Sequence, residues 1–315
     1  MKPKIPPAVL EYTGLLVALA LLIAFFASKA PHFLSIATVR TIASSVPDAV
    51  FLAVGMTYVL IIGGIDLSVG SVVGLSGAVL GVCLGVWKLP VPVAILVTLG
   101  VGASIGFING SISVRWRLPS FIVTLGMLEM ARGGAFLATG SQTMYVGGPI
   151  ERIADASIFG ISLPFVCCIL AVVVGQFVLV RTVFGRYATG VGRNEKAIRY
   201  SGINPLPTKI AVFTICGVLA SIAAVMNVSR LASADPNGGT GFELQAIAAV
   251  VIGGTSLMGG RGTVIGSFFG VIIIAVLENG LAQIGAQDPV KRLATGAVII
   301  LAVVLDRYRH RSASI

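Results

Sequence analysis

The stretch VFLAVGMTYVLIIGGIDLSVGSVVGLSGAVLGV, residues 50–82, decides the fold class of this chain. Asp66 is the single charged side chain in it, and Gly63 and Gly64 stand just before this aspartate. A helix that crosses a membrane needs about 20 mostly apolar residues. The stretch therefore predicts two such helices, at 49–65 and 67–86, separated by a short break at the glycines.

Apolar runs of this kind continue along the whole chain. Of the 315 residues, 56% are hydrophobic and 11% are charged, with a mean hydropathy of +1.00, whereas about a quarter of the residues of a soluble domain are charged. We therefore expect an all-α polytopic membrane protein in which residues 1–315 form a single transmembrane domain. The ten predicted spans are 13–28, 49–65, 67–86, 91–114, 118–137, 158–180, 210–228, 244–257, 264–284 and 293–305. Spans eight and ten have only 14 and 13 residues, so nine or eleven crossings are alternatives.

Composition also argues against several other classes of protein. The net charge of +10 comes from basic residues scattered between apolar runs, which fits membrane topology better than a nucleic-acid surface. The four cysteines lie in apolar stretches, and with only two histidines we expect no metal site. The sequence shows no combination of residues typical of a catalytic or cofactor site, so we expect neither enzymatic activity nor a bound cofactor.

The distribution of Lys and Arg predicts the orientation. With ten spans and the N-terminus inside the cell, 14 of the 22 basic residues lie on the cytosolic side, six of them in the loop 181–209. Cytosolic loops carry an excess of such residues, so both termini are expected in the cytosol of a bacterium, with the chain in its inner membrane. The first span is expected to be a retained anchor rather than a cleaved signal peptide.

An internal repeat is suggested by a pattern that recurs 170 residues later. Asn109-Gly110, Pro119 and Gly126 are matched by Asn279-Gly280, Pro289 and Gly296. Because this offset spans five predicted helices, the two halves would run in opposite directions, as in many transporters. Since glycine is abundant, chance is the alternative.

Two glycine-rich segments separate predicted spans. In the first, residues 63–71, Asp66 can cap the following helix by accepting backbone N–H bonds; alternatively, the break exposes polar backbone to a substrate or partner. The second, residues 250–262, is expected to form a cytosolic turn in which Arg261 pairs with a partner or with lipid phosphate. No Gly-Lys pair exists in the chain, so if ATP drives transport another chain must bind it.

The loop 181–209 is the main polar segment. Within it, residues 194–202 read as a short helix with Asn194 as N-cap and Gly202 as stop. This helix is expected either to be a solvated part of a basic loop or to dock into a groove of a cytosolic motor protein.

Ionisable residues within the predicted spans are few. Glu129 and Arg132 are three residues apart and can pair, and Glu278 lies in the ninth span. An ion-coupled carrier would need unpaired carboxylates near the middle of the membrane, and the sequence offers little there.

Four strings resemble the permease subunits of ribose-type ABC importers, in the superfamily shared with branched-chain amino acid permeases. They are GGIDLSVGS at 63–71, LPSFIVTLGML at 118–128, GRNEKAIRYSGI at 192–203 and AAVVIGGTSLMGGRGTVIGS at 248–267. The resemblance extends over about residues 35–306 and implies a vitamin B12-type importer fold of about ten helices. It also implies two permease copies, two cytosolic ATPase subunits and a periplasmic or lipid-anchored sugar-binding protein.

On this basis we expect the pore subunit of an ATP-driven importer of a monosaccharide, ribose first, embedded in the lipid bilayer. The alternatives are an ion-coupled secondary carrier, a branched-chain amino acid permease and a structural or enzyme-anchoring membrane subunit. The residues expected to contact the ATPase are Arg193, Asn194, Glu195, Lys196, Ile198, Arg199 and Tyr200. The residues of the characteristic motifs, which could lie along the pathway, are Gly63, Gly64, Asp66, Ser68, Gly70, Asn109, Gly253, Gly254, Gly260 and Arg261.

Overall fold

A computed structural model of the chain describes the backbone of residues 7–312 and the side chains of residues 12–298, 300 and 301. This part of the chain is mostly helical and contains twelve helices and four two-residue strands. In chain order they are α1 (Pro7–Lys29), α2 (Ile36–Ile61), α3 (Val69–Gly85), α4 (Val91–Arg115), α5 (Ser120–Thr139), β1 (Met144–Tyr145), α6 (Gly148–Asp155), β2 (Ser157–Ile158), β3 (Ile161–Ser162), α7 (Leu163–Arg181), α8 (Val183–Tyr200), α9 (Leu206–Leu231), β4 (Ser233–Ala234), α10 (Phe242–Ile252), α11 (Val264–Gln283) and α12 (Asp288–Ser312).

Seven helices in the described residues are long and apolar enough to cross a membrane: α1, α2, α4, α5, α7, α9 and α11. The apolar helices α3 and α10 are shorter, with 17 and 11 residues. Each of the ten predicted spans lies on a helix, but ten complete crossings are not confirmed. Lys2 and Lys4, which contributed to the predicted orientation, lie outside the described residues.

Several predicted boundaries are wrong. The span predicted at 49–65 is a helix that begins at Ile36, where Ser35 accepts the Thr38 N–H at 3.2 Å as N-cap, and that ends before the glycines. Residues 158–162 belong to the β2–β3 hairpin rather than to a span. The eighth span ends at Ile252, so residues 253–257 belong to the following loop. These errors arose because hydrophobicity alone set the boundaries, whereas caps and glycines set the real ones.

The helix α2 forms the centre of the bundle. From Val46 to Ile61 its residues are almost all buried against α7, α9, α10 and α11. The Thr57 hydroxyl donates a 2.7 Å hydrogen bond to Ser267, and the Tyr58 hydroxyl donates one of 2.5 Å to the Gly175 carbonyl. These bonds satisfy polar groups that would be costly in a lipid-embedded core.

Glycines bring α4 and α9 into close contact. A Cβ at Gly102, Gly106 or Gly110 would meet backbone or side-chain atoms of α9, including the Phe213 carbonyl oxygen. Small residues at four-residue spacing let helix backbones approach in this way. The predicted flat face on this helix is therefore confirmed, and its partner is another helix of the same chain.

The helix boundaries support the predicted repeat. The helices α2 and α9 have 26 residues each, and their first and last residues differ by 170 in number. The packing recurs as well, since α4 contacts α9 and α11 contacts α2. The two matched helices run antiparallel, because Gly55 faces Cys216 while Asp48 bonds to Asn227. This geometry supports an inverted relationship between the halves.

A largely non-helical segment, residues 232–241, follows α9 and lies along the glycine face of α3. Cβ atoms at Gly70 and Gly74 would meet the carbonyl oxygens of Gly239 and Gly238. The segment can lie this close only because these positions of α3 have no side chain. It leads into the short helix α10, so this part of the bundle is built from a broken rather than a continuous helix.

Candidate functional site

Loops from three parts of the chain meet at one end of the bundle. The Gly260 N–H donates a 2.8 Å hydrogen bond to the Ile61 carbonyl, and the Arg193 Nε donates one of 3.1 Å to the Gly260 carbonyl. Gly259 packs against Gly63 and against the Gly192 carbonyl. We call these six residues the junction. It brings together three motifs that the sequence analysis identified separately.

Glycine is required at several positions of the junction. Gly63, Gly259 and Gly260 have φ angles of +74°, +84° and +73°, which other residues adopt only at a cost. At Gly192 the backbone angle is ordinary, but a Cβ would collide with the Ile61 carbonyl oxygen and the Gly260 nitrogen. The junction is therefore a close backbone contact between α8, the end of α2 and the loop that follows α10.

The short helix predicted after Arg193 is confirmed, as the second half of α8. Asn194 interrupts α8 with φ −162° and ψ 93°, and its Oδ1 accepts the Ala197 N–H at 3.0 Å as an N-cap. Gly202, at φ +80°, ends the helix with the Ile203 N–H bonded to the Ile198 carbonyl, which is a Schellman arrangement. We call residues 194–202 the coupling helix. The segment 181–209 is thus mainly helical rather than an open loop.

The coupling helix is held on one side and exposed on the other. The Glu195 carboxylate accepts hydrogen bonds from Arg199 at 2.8 Å and from Lys209, at the start of α9, at 2.6 Å. Burial raises the pKa of the Glu195 carboxyl, but the bonds from Lys209 and Arg199 outweigh burial, and the pKa lies below its usual value. Ile198 packs back towards Gly190, whereas Tyr200 is 89% exposed. Lys196 and Arg199 are exposed as well.

Asp66 is buried in a polar cluster next to the break between α2 and α3. Its Oδ1 accepts the Ser68 N–H at 2.9 Å and the Ser68 hydroxyl at 2.6 Å, and Asn109 Nδ2 donates to the Ser68 oxygen at 3.0 Å. Asp66 thus holds the turn that precedes α3. It does not cap that helix directly, because Ser68 occupies the N-cap position.

The backbone of this break is satisfied by α5. The Ser120 hydroxyl accepts the Ile65 N–H at 2.9 Å, and the Thr124 hydroxyl accepts the Leu67 N–H at 3.0 Å. Polar backbone within a membrane needs such partners. The geometry therefore favours the structural interpretation of Asp66 over direct contact with a ligand.

The predicted turn after α10 is confirmed between Gly253 and Thr263. Gly253 lies directly against Gly266 of α11, and Gly254, at φ +89°, allows the sharp change of direction. Arg261 is exposed, and its neighbour Met258 is 88% exposed. These side chains lie at the same end of the bundle as the coupling helix, next to the junction.

A cavity of about 340 Å³ lies between α2, α9, α10 and α11. On one wall, Asp48 Oδ2 accepts hydrogen bonds from Asn227 at 3.0 Å and from Arg230 at 3.1 Å. On another wall, Gln245 Nε2 donates to Glu278 Oε1 at 3.2 Å. The polar lining residues include Thr41, Ser45, Asp48, Gln245, Glu278 and Asn279.

The sequence analysis missed Asp48 and Arg230, because the second span was drawn from residue 49 and the seventh only to residue 228. A signal was present in the sequence. Thr41, Ser45 and Asp48 are spaced by four and three residues, which places them on one helix face. A polar stripe on an otherwise apolar helix indicates a polar cavity or a partner helix.

The predicted pair of Glu129 and Arg132 is present, with 3.8 Å between its charged atoms. The Glu129 side chain is 70% exposed, so this pair lies on the outside of the described bundle. It does not belong to the junction or to the cavity.

Comparison with known proteins gives a consistent result. The family described as branched-chain amino acid transport system permease component matches residues 38–303. The chain is 39% identical to the ribose import permease protein of Escherichia coli, covering 94% of this chain and 93% of that protein. It is 35% identical to the ribose import permease protein of Bacillus subtilis, covering 95% and 94%, and 32% identical to the fructose import permease protein of Rhizobium meliloti, covering 95% and 86%. No solved structure matches the chain.

Proposed function

The chain belongs to the family of branched-chain amino acid transport system permease components, and from this premise we propose that it is the transmembrane pore subunit of an ATP-binding-cassette importer for a monosaccharide. The similar proteins are named for import of ribose and fructose, and a further one, 34% identical, for L-arabinose. Ribose is our first choice of substrate. No similarity to an enzyme contributes to the proposal.

The observation that best supports an ATP-driven mechanism is the attachment of the coupling helix to the junction. An ATPase that moved this helix would act on Arg193, next in sequence to its cap. Arg193 bonds to Gly260, and Gly260 bonds to Ile61 at the end of the central helix α2. Movement at the surface would thereby reach the loop after α10 and the core of the bundle.

We assign the ATPase contact to the side chains around this helix. Lys196, Arg199 and Tyr200 are exposed and can dock in a groove of the motor protein. Arg193, Asn194, Glu195 and Ile198 would hold the helix in position from behind. The motif residues of the breaks, from Gly63 to Gly70 with Asn109 and from Gly253 to Arg261, would be the flexible or tightly packed points between moving helices.

The wider assembly follows the same proposal. Two copies of this chain, forming a homodimer with about ten crossings each in a vitamin B12-type inverted-repeat fold, would lie in the bacterial inner membrane with both termini in the cytosol. Two ATPase subunits would bind on the cytosolic side and would hydrolyse all the ATP. A sugar-binding protein would deliver the sugar on the opposite side.

Reconstitution into proteoliposomes tests the function directly. With its ATPase and binding protein, the chain should import radiolabelled ribose only when ATP is hydrolysed. An ATPase whose catalytic glutamate is replaced by glutamine is the matched control, and uptake that persists with it would refute the proposal.

The same preparation separates the alternatives. Uptake that continues without ATP and stops on addition of an uncoupler would indicate an ion-coupled secondary carrier. ATP-driven uptake of L-leucine, with no uptake of ribose, fructose or arabinose, would indicate a branched-chain amino acid permease. An anchoring subunit would purify without any motor ATPase and would transport neither.

A further inference from the structure

The cavity between α2, α9, α10 and α11 lies deep in the chain rather than at its ends. Asp48 is the thirteenth of the 26 residues of α2, so it lies at the middle of that helix. The volume of about 340 Å³ falls within the range of roughly 300–1,000 Å³ typical of small-molecule sites. All of its lining residues belong to one chain, so the cavity does not depend on a second copy.

The walls of the cavity offer both donors and acceptors of hydrogen bonds. Asn279 Oδ1 accepts a bond from Gln283 at 2.9 Å, and among the described residues its Nδ2 meets no acceptor. Glu278 uses Oε1 for Gln245, which leaves Oε2 able to accept from a ligand. Arg230 bonds to Asp48 through Nη2, so its Nη1 and Nε remain able to donate. A hydroxyl group both donates and accepts, and it can therefore use every one of these groups.

The remaining lining is apolar and includes an aromatic ring. Leu52, Val271 and Ile274 form an aliphatic surface, and Phe242 adds a ring from the first turn of α10. A sugar ring has C–H groups on its faces and hydroxyl groups around its edge. An apolar surface bordered by a few polar groups matches that distribution.

The charges of the cavity favour a neutral ligand. Among its described lining residues, Arg230 is the one cation, and it is already paired with Asp48. Glu278 adds a second carboxylate, so the formal charge of the lining is −1. A ligand with a free carboxylate, such as an amino acid, would have to compete with Asp48 for the arginine and would be repelled by Glu278.

The helix beside the cavity is discontinuous. With 11 residues, α10 spans about 16 Å at 1.5 Å per residue, and the non-helical residues 232–241 lead into it. Transporter sites near the middle of the membrane are often built from such broken helices. Phe242, Gln245, Ala246 and Ala249 of α10 all line the cavity.

We propose that this cavity is a binding site for the transported monosaccharide within a single permease chain, with Arg230, Gln245, Glu278 and Asn279 bonding to its hydroxyl groups and Phe242 contacting its ring. The inference rests on the proposed function, because it takes its substrate class from it. Binding there would be weak, since few polar groups converge on the ligand, and weak binding permits release on the far side.

Saturation-transfer NMR on the full-length chain in nanodiscs, without ATPase or binding protein, tests the site. D-Ribose, D-fructose and L-arabinose are the probes, and L-leucine is the comparison. We expect a signal from at least one sugar. Ala275→Phe, which fills the cavity, should abolish this signal, and Asn279→Leu should weaken binding about tenfold. Ala138→Phe, at an exposed alanine of α5, is the matched control and should leave the signal unchanged.

A milder variant guards against misfolding of the two lining variants. Ser45→Cys lies in the cavity wall, and the bound sugar should slow its modification by a methanethiosulfonate reagent. Ser104→Cys, exposed on α4, should react at the same rate with and without sugar.

The outcomes distinguish the site from the function. If ATP-driven sugar uptake is present but Ala275→Phe folds, transports and gives a wild-type signal, the site is wrong and the function stands. If sugar protects Ser45→Cys but no uptake depends on ATP, the site stands and the proposed function is wrong. Binding of L-leucine in place of the sugars, or a lack of protection at Ser45→Cys, overturns the site.

Discussion

Asp48 of α2 and Arg230 of α9 form an ion pair of 3.1 Å although 182 residues separate them in the chain. Asp48 is almost completely buried, and the Arg230 side chain is 34% exposed. The pair joins the two helices that correspond to each other in the repeat. It is therefore a link between the halves of the chain as well as a wall of the cavity.

Removal of one member of this pair should destabilise the protein. Asp48→Leu leaves Arg230 without its counter-charge, and we expect a loss of about 1–3 kcal/mol, since partial exposure of the arginine reduces the cost of an unpaired buried charge. Unfolding in detergent measures it. The double variant Asp48→Leu/Arg230→Met should recover part of the loss; strictly additive effects would mean that the pair makes no net contribution.

A side chain at Gly192 should disrupt the junction. In Gly192→Ala the new Cβ would collide with the Ile61 carbonyl oxygen, and the adjacent Gly260–Ile61 hydrogen bond should break. We expect ATP-driven uptake to fall about tenfold, as overpacking and one lost bond together cost more than about 1.4 kcal/mol, while the protein still inserts in the membrane. The measurement is uptake in proteoliposomes together with ATPase activity.

Gly148→Ala is the control for the junction. Gly148 lies in α6, and a Cβ there would meet nothing within 4 Å. Unimpaired transport by Gly192→Ala would show that the backbone contact with Ile61 is dispensable for coupling.

The packing of α4 against α9 should be sensitive to Gly106. In Gly106→Ala the added methyl group would overlap the Phe213 backbone, so the helices must move apart at a cost of about 1–3 kcal/mol. Thermal unfolding in detergent should show a lower Tm. Gly100→Ala on the same helix, where a Cβ meets nothing within 4 Å, should unfold like the wild type, and equal Tm values for both variants would contradict this packing.

The hold on the coupling helix should weaken in acid. The pKa of Glu195 lies below its ordinary value of 4.5, so its stabilising ion pairs are fully formed above that value and are lost as the pH falls through the lowered pKa. A spin label at Ser201→Cys, with Cys167 replaced by serine, should become more mobile over that range.

Glu195→Gln provides the comparison. Without the carboxylate, the label should already be mobile at neutral pH, because exposed pairs of this kind contribute up to about 1 kcal/mol each. A label whose mobility still changes in acid in Glu195→Gln would point to another titrating group.

Local signals in the sequence determined much of this molecule. Apolar runs determined the membrane class and located ten helical segments, since a lipid environment requires long uninterrupted hydrophobic stretches. Asn194 and Gly202 determined the bounds of the coupling helix, because cap residues act through bonds within a few positions of the chain. The offset of 170 residues was also readable, because helices in related positions keep related spacing.

Only the tertiary structure decided which of these segments meet. The junction joins Ile61, Arg193 and Gly260, and the cavity joins Asp48, Arg230 and Glu278, across separations that no local pattern encodes. Apolar helices resemble one another in sequence, and their partners are selected by shape, through glycines that permit close approach and through rare polar groups that need a bond in lipid. For this reason the sequence indicated that Asp66 was structural but could not reveal that Asp48 borders a cavity.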